Sequence, residues 1–221
     1  MNLHITTKFN GSLIVIQAER DILAKAFCRV QEHYESPFDS IRGQIFTLGQ
    51  LRILYPIWDY HGGNHVETRW AGYNIPDTAM KPFINGLFDP LNPLETDLVN
   101  ILKYRTERFY VIGASEENDE TLDHEICHSM FYLFPKYKKD IIKAMSEYDL
   151  TPLKKAIAEM GYCEEVLEDE CHAYLSANYE EWFGNAQDTE KSTLAKKHGA
   201  FYPRELHDKL RAIKVLHTPK E

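Results

Sequence analysis

Arg108-Phe-Tyr-Val-Ile-Gly-Ala114, an acidic loop from Ser115 to Glu120, and the run Thr121-Leu-Asp-His-Glu-Ile-Cys-His-Ser-Met-Phe-Tyr-Leu-Phe134 form the stretch on which the fold turns. The first run is β-branched and aromatic, which predicts a strand. The loop carboxylates and Asn118 suit the positive end of a helix that begins near Asp119 to Thr121. Pro135 cannot continue that helix comfortably, so it is expected to end at about Phe134.

Toward the N-terminus, Leu3 to Phe9 and Ser12 to Gln17 flank an Asn10-Gly11 turn and read as a β-hairpin. Ala18 to Glu35 follows with Ile22, Leu23, Ala26, Phe27 and Val30 on a helical stripe. From Pro37 to about Asn92 the pattern weakens into short apolar runs broken by Gly and Pro, compatible with a strand or two and one short helix. Leu94 to Tyr104 reads as a helix. Toward the C-terminus, Thr151-Pro152 is expected to be an N-cap followed by proline at the first helical position, with Gly161 at the C-terminal cap. Further helices are expected over Tyr162 to Trp182 and Pro203 to Leu216. A small, mostly N-terminal sheet followed by a helical half is an α+β chain. It reads most simply as one domain over 1–221, with 1–105 and 106–221 as candidate sublobes.

The 221 residues are 43% hydrophobic, enough for a sizeable core. The formal net charge of -9 would repel a phosphate backbone, which argues against nucleic acid as a partner. No signal-peptide pattern opens the chain, and no apolar run is long enough to span a bilayer. Cys28, Cys127, Cys163 and Cys171 form no C-x-x-C pair and read as reduced, buried thiols of a cytoplasmic protein.

Chemistry concentrates in His124-Glu125-Ile126-Cys127-His128. Residues four apart share a helix face, so both imidazoles can meet one metal ion, with Glu125 beside them as general base. Composition alone yields this pattern in roughly one such chain in twenty-five, so context has to decide. The context is a helix directly after a strand, and Arg108 to Ala114 is a candidate to pair an extended substrate, or to neighbour the strand that does. An open zinc site needs a third ligand. Glu170 lies amid Val166, Ala173 and Ala177, where a buried carboxylate requires a cation or a strong partner. Zinc would meet that need, and so would a buried salt bridge. Glu168 and Asp169 fall off this stripe as solvated or supporting groups. His172, the rival ligand, falls away from it, and Cys127 and Cys171 read as packing residues.

His124-Glu-x-x-His128 followed by Glu170-x-x-Ala173-Tyr174 on a later helix resembles the gluzincin class of zinc metallopeptidases. The likeness covers about residues 105 to 182. It implies Zn2+ held by His124, His128 and Glu170, Glu125 as base, and water-mediated cleavage of a peptide bond. Phe131 and Phe134 stand where the longer metzincin motif has Gly and His, which excludes that class. The 42 residues from His128 to Glu170 leave room for two intervening helices. Tyr174, one turn beyond Glu170, is the first candidate to stabilise the oxyanion, with Tyr162, Tyr202 and His207 as others. His61 and His65 also have ligand spacing, but the glycines between them argue against a helix there. The expected function is a zinc-dependent peptidase acting on a peptide or protein, with the stretch Trp58 to Pro76 helping to form the cleft. A non-catalytic zinc-binding module and a hydrolase of a non-peptide amide are the competing readings.

Overall fold

The computed structural model describes residues 4–58, 72–115, 119–184 and 189–219. Strands β1 (His4–Lys8) and β2 (Leu13–Gln17) pair antiparallel, with His4 opposite Gln17 and Lys8 opposite Leu13. Between them Phe9, Asn10 and Gly11 all take positive φ values of 55°, 55° and 86°, a reversal that Gly11 accepts without steric cost. Strand β4 (Tyr110–Ala114) lies parallel to β2 and antiparallel to β3 (Gly72–Pro76), giving the order β1-β2-β4-β3. The chain is α+β, as its pattern predicts.

All five residues of β4 are buried, the reason its sequence is apolar without alternation. It is an interior strand, hydrogen-bonded on both sides. It therefore has no edge to offer an extended peptide, and among the described strands the edges belong to β1 and β3. Helix α1 (Arg20–Glu35) packs on β3 and β4. Gly113 makes the approach possible, because a Cβ there would stand 3.0 Å from the Phe27 ring, which in turn stacks on Tyr73 at 5.3 Å.

The weakly patterned region holds two helices rather than one, α2 (Leu48–Trp58) and α3 (Asp77–Ile84), together with β3. Gly49 and Pro56 lie inside α2 and Pro82 inside α3, so the residues that normally punctuate structure stand within elements here. Residues 59–71, including His61 and His65, lie outside the described residues, as does Asn118. Helix α4 (Pro93–Leu102) starts with a full capping box in which Asn92 and Glu95 serve each other's backbone.

Glu95 also accepts a two-pronged pair from Arg29 of α1, at 2.6 Å on each oxygen. Arg29 further donates to the carbonyls of Phe88 (3.2 Å) and Pro90 (3.4 Å). Both side chains are about 95% removed from solvent, so each charge depends on the other.

Contacts divide the chain into two compact units, Met1–Thr121 and Leu122–Glu221. The boundary falls in the first turn of helix α5 rather than ahead of β4, because β4 completes the first unit's sheet. The second unit is helical: α5 (Asp119–Leu133), α6 (Pro135–Met145), α7 (Thr151–Glu159), α8 (Leu167–Ala177), α9 (Tyr179–Phe183), α10 (Glu190–His198) and α11 (Arg204–His217). Pro135 both ends α5 and opens α6, and α6 and α7 are the two helices that the spacing leaves room for. Helix α7 begins at Thr151, one residue earlier than its expected first position. Leu150 is the cap, and Asp149 accepts the Thr151 N–H at 2.9 Å. Gly161 follows with φ 99°. Helix α11 packs on α6 and α8, and α7 packs on α8 and α10, so α8 is the central helix of this unit. Among the described residues no helix is long and apolar enough to cross a membrane.

Glu95→Ala is expected to lower the stability of the first unit by about 3–5 kcal/mol, because it strands a buried guanidinium. Arg29→Met combined with Glu95→Met should cost much less. Urea unfolding of both variants checks this, and equal losses would mean the pair is not the clamp described.

Candidate metal centre

Helix α5 brings His124 and His128 to one face, and α8 brings Glu170 to meet them. His124 Nε2 and His128 Nε2 lie 3.0 Å apart. The Glu170 oxygens lie 3.6 Å from His124 Nε2 and 3.5 Å from His128 Nε2. Metal–ligand bonds of about 2.0–2.1 Å in a tetrahedron put ligand atoms about 3.3–3.4 Å apart, so these separations suit one small ion. No other group of three His, Cys, Asp or Glu among the described residues converges in this way.

The protons of the two imidazoles decide what the convergence means. His124 Nδ1 contacts Asn178 Oδ1 at 2.8 Å, and His128 Nδ1 contacts Asp169 Oδ2 at 3.1 Å. Each partner is an acceptor, so each Nδ1 carries the proton and donates. In the neutral rings both Nε2 atoms are then lone-pair acceptors facing each other and a carboxylate. Such a set is repulsive without a cation or a proton in its midst. Glu170 is 1% exposed, and its Oε2 has no hydrogen-bond partner among the described residues. His128 is 2% and His124 8% exposed. A divalent ion would satisfy all three groups, and the residues therefore fit a metal.

Asp169 is a supporting group with two contacts. Its second oxygen lies 3.4 Å from His172 Nδ1, and His172 Nε2 hydrogen-bonds the Tyr137 hydroxyl at 2.7 Å. His172 does not face solvent, as its helical position suggests, but is fully buried and stacked on Phe131 at 5.1 Å. Every residue from Glu170 to Ser176 is buried, because helices pack on α8 from several sides and no polar face remains. His172 lies outside the ligand set. Cys171 is buried as a packing residue. Cys127 is buried too, but its thiol also contacts the Lys214 ammonium at 3.2 Å.

Glu125 is buried beside the two histidines on α5. The Tyr174 ring packs on His124 at 4.6 Å and on Trp182 at 5.1 Å, and its hydroxyl lies 3.1 Å from that of Tyr162. Burial, and then the Glu170 charge, push the Tyr174 phenol well above its ordinary pKa, so it remains a donor. Tyr202 and His207 are engaged elsewhere, with the carbonyls of Asp149 and Leu175 respectively.

The helix expected over 162–182 is broken. It opens as a 3-10 turn at Glu164–Val166 and stops at Asn178 before α9. Asn178 leaves helical geometry (φ -114°, ψ 28°), and its side chain holds His124. Glu170, Tyr174 and Asn178 recur every fourth residue, a signal by which Asn178 could have been found. Tyr137 carried no such signal, because α6 delivers it only through tertiary packing.

Comparison with family models, curated proteins and solved structures finds no match for this chain.

Burial disfavours charge on His128, but Asp169 and then Glu170 outweigh it and hold the imidazole well above 6.5. Burial opposes the Asp169 carboxylate likewise, and His128 with His172 still holds it down to about 2. In metal-free protein the contribution of His128 to stability is complete below pH 6.5 and is lost as pH rises through its raised value. That of Asp169 is complete above 3.8 and lost as pH falls through about 2. Melting temperatures measured in chelator should therefore decline as pH climbs from 6.5, and His128→Asn should flatten that decline. A parallel decline in the variant would show that another group causes it.

Proposed function

We propose that this chain is a zinc-dependent peptidase of the gluzincin type, with His124, His128 and Glu170 as metal ligands. The observation that carries the reading is the pair of Nε2 atoms, 3.0 Å apart beside a buried carboxylate, each an acceptor once its ring is neutral. Two neutral imidazoles and one carboxylate form a donor set suited to zinc, and three protein ligands leave one position for chemistry. Zinc, when bound, supplies a Lewis acid that polarises a carbonyl and acidifies water.

The chain's own groups do the rest. Asp169 and Asn178 hold the two imidazoles in the tautomer that points Nε2 at the site. Glu125 takes a proton from the attacking water and returns it to the leaving amine. Tyr174, protonated and seated on His124, donates toward the oxyanion, and Tyr162 shares that position through the hydroxyl contact. The substrate class is peptide or protein, and the acidic balance of the chain disfavours nucleic acid. Four free, buried cysteines support a reducing compartment, the cytoplasm.

Metal content by mass spectrometry is the first test. Wild type should carry near one zinc per chain, and folded His128→Ala and Glu170→Ala should carry none. Glu125→Gln should keep its zinc and lose about 10²–10⁴-fold in peptide hydrolysis. Asp169→Asn should weaken zinc binding by about 10–100-fold, measured by competition with a chromogenic chelator. Zinc retained with no hydrolysis of any peptide would favour the non-catalytic module or the non-peptide amide hydrolase. Wild type that cannot be loaded would remove the metal reading altogether.

A further inference from the structure

The first unit carries a cavity that no role above absorbs. It has a volume of about 390 Å³ and is walled by α1, the start of α2 and the start of α4. Ala24, Cys28, Leu48 and Leu94 supply its apolar surface. That volume lies in the ordinary range for small-molecule sites, about 300–1,000 Å³.

The polar groups of the interior are already committed. The Asn92 side-chain oxygen accepts the Leu94 and Glu95 N–H groups at 2.8 and 3.0 Å, and its amide donates to the Lys25 carbonyl at 3.0 Å. Both Glu95 oxygens take the Arg29 guanidinium, and one also accepts the Asn92 N–H at 2.8 Å. The interior therefore suits an apolar body. The same contacts stiffen the walls, because the Arg29–Glu95 pair and the Asn92 amide both tie α1 to α4. Helix α2 opens with its own reciprocal cap. Gln50 Oε1 accepts the Thr47 N–H at 2.8 Å, and Thr47 Oγ1 accepts the Gln50 N–H at 3.2 Å. A site held open in advance loses little ordering entropy when it is filled.

Positive charge stands at the rim. Of the four charged residues that line the cavity, Arg29 and Glu95 neutralise each other, which leaves Lys25 and Arg52, both exposed cations. Asp21 holds Lys25 at 2.6 Å, but an exposed pair of this kind is worth little and exchanges for another carboxylate at small cost. Leu48 is the first residue of α2, so the positive end of that helix dipole lies at the cavity as well.

We propose that this cavity binds a single-chain amphiphilic anion of the fatty-acid class, with its tail against Ala24, Cys28, Leu48 and Leu94 and its carboxylate between Lys25 and Arg52. Burial of the tail supplies affinity, and the two cations select the sign of the head. All the lining residues belong to the first unit, so the proposal does not rest on the peptidase reading.

Isothermal titration calorimetry of the full-length protein tests it. The probe is sodium decanoate below its micelle concentration, and decyltrimethylammonium is the control with the same tail and the opposite charge. Decanoate should bind one-to-one and about tenfold or more tightly than the cation. Lys25→Glu combined with Arg52→Glu, both at exposed positions, should weaken decanoate by about tenfold. Leu48→Trp fills the cavity from a half-buried position and should abolish binding of both probes. No saturable decanoate binding, equal affinity for the two amphiphiles, or undiminished decanoate affinity in the charge-reversed variant would overturn the proposal. Undiminished affinity in folded Leu48→Trp would place the ligand elsewhere and overturn it equally. So would binding to vesicles of an anionic phospholipid without binding of free decanoate, which would make this surface a membrane contact.

Discussion

A carboxylate that is 1% exposed must find positive charge or donors inside the protein, because burying it uncompensated costs far more than a domain can spare. Glu170 meets that constraint by facing two imidazole nitrogens at 3.5 and 3.6 Å. Those nitrogens cannot donate to it in the neutral rings, since their protons are committed at Nδ1 to Asp169 and Asn178. The helical unit is therefore built around a concentration of lone pairs that only a proton or a metal can relieve. The raised pKa of His128 is the proton's answer to the constraint. The convergence of the three groups is what would let a metal ion relieve it instead.

Holding the three groups together takes a frame, and that frame is α8. It carries Asp169 and Glu170, meets α7 and α11, and ends at the residue that fixes His124. Asp169 ties His128 to His172, and His172 ties to Tyr137 on α6, so the orientation of one ligand is carried by three helices. Under the proposed function, a bound metal would add its binding free energy to that of the folded state. The packing around α8 has to hold the ligands in register before that energy is gained.

Much of this was legible in the residues. His124 and His128 are four apart on a helix whose limits are set by an acidic start and Pro135, and local chemistry dictates both ends. Glu170 stood out because a charged residue interrupts an apolar stripe. The hairpin, α1, α4, α5 and α11 follow from periodicity and capping in the same way. What was not legible came from packing. Gly49, Pro56 and Pro82 lie inside helices, because propensity is a weak prior that tertiary contacts override. His172 faces protein rather than water, because α8 is covered on more sides than an amphipathic pattern expresses.

By itself, then, the sequence determined the α+β class, the helix that carries the motif, and the identities of the three groups able to hold an ion. Each of those rests on neighbours within a turn or two of chain, where spacing and geometry are one question. The tertiary structure alone decided that the three meet within ligand distance, that Asp169 and Asn178 set the imidazole protons, that β4 has no free edge, and that Lys214 comes to rest on Cys127. Those facts depend on how separate helices and strands pack, and residues far apart in the chain carry no local record of the distance between them.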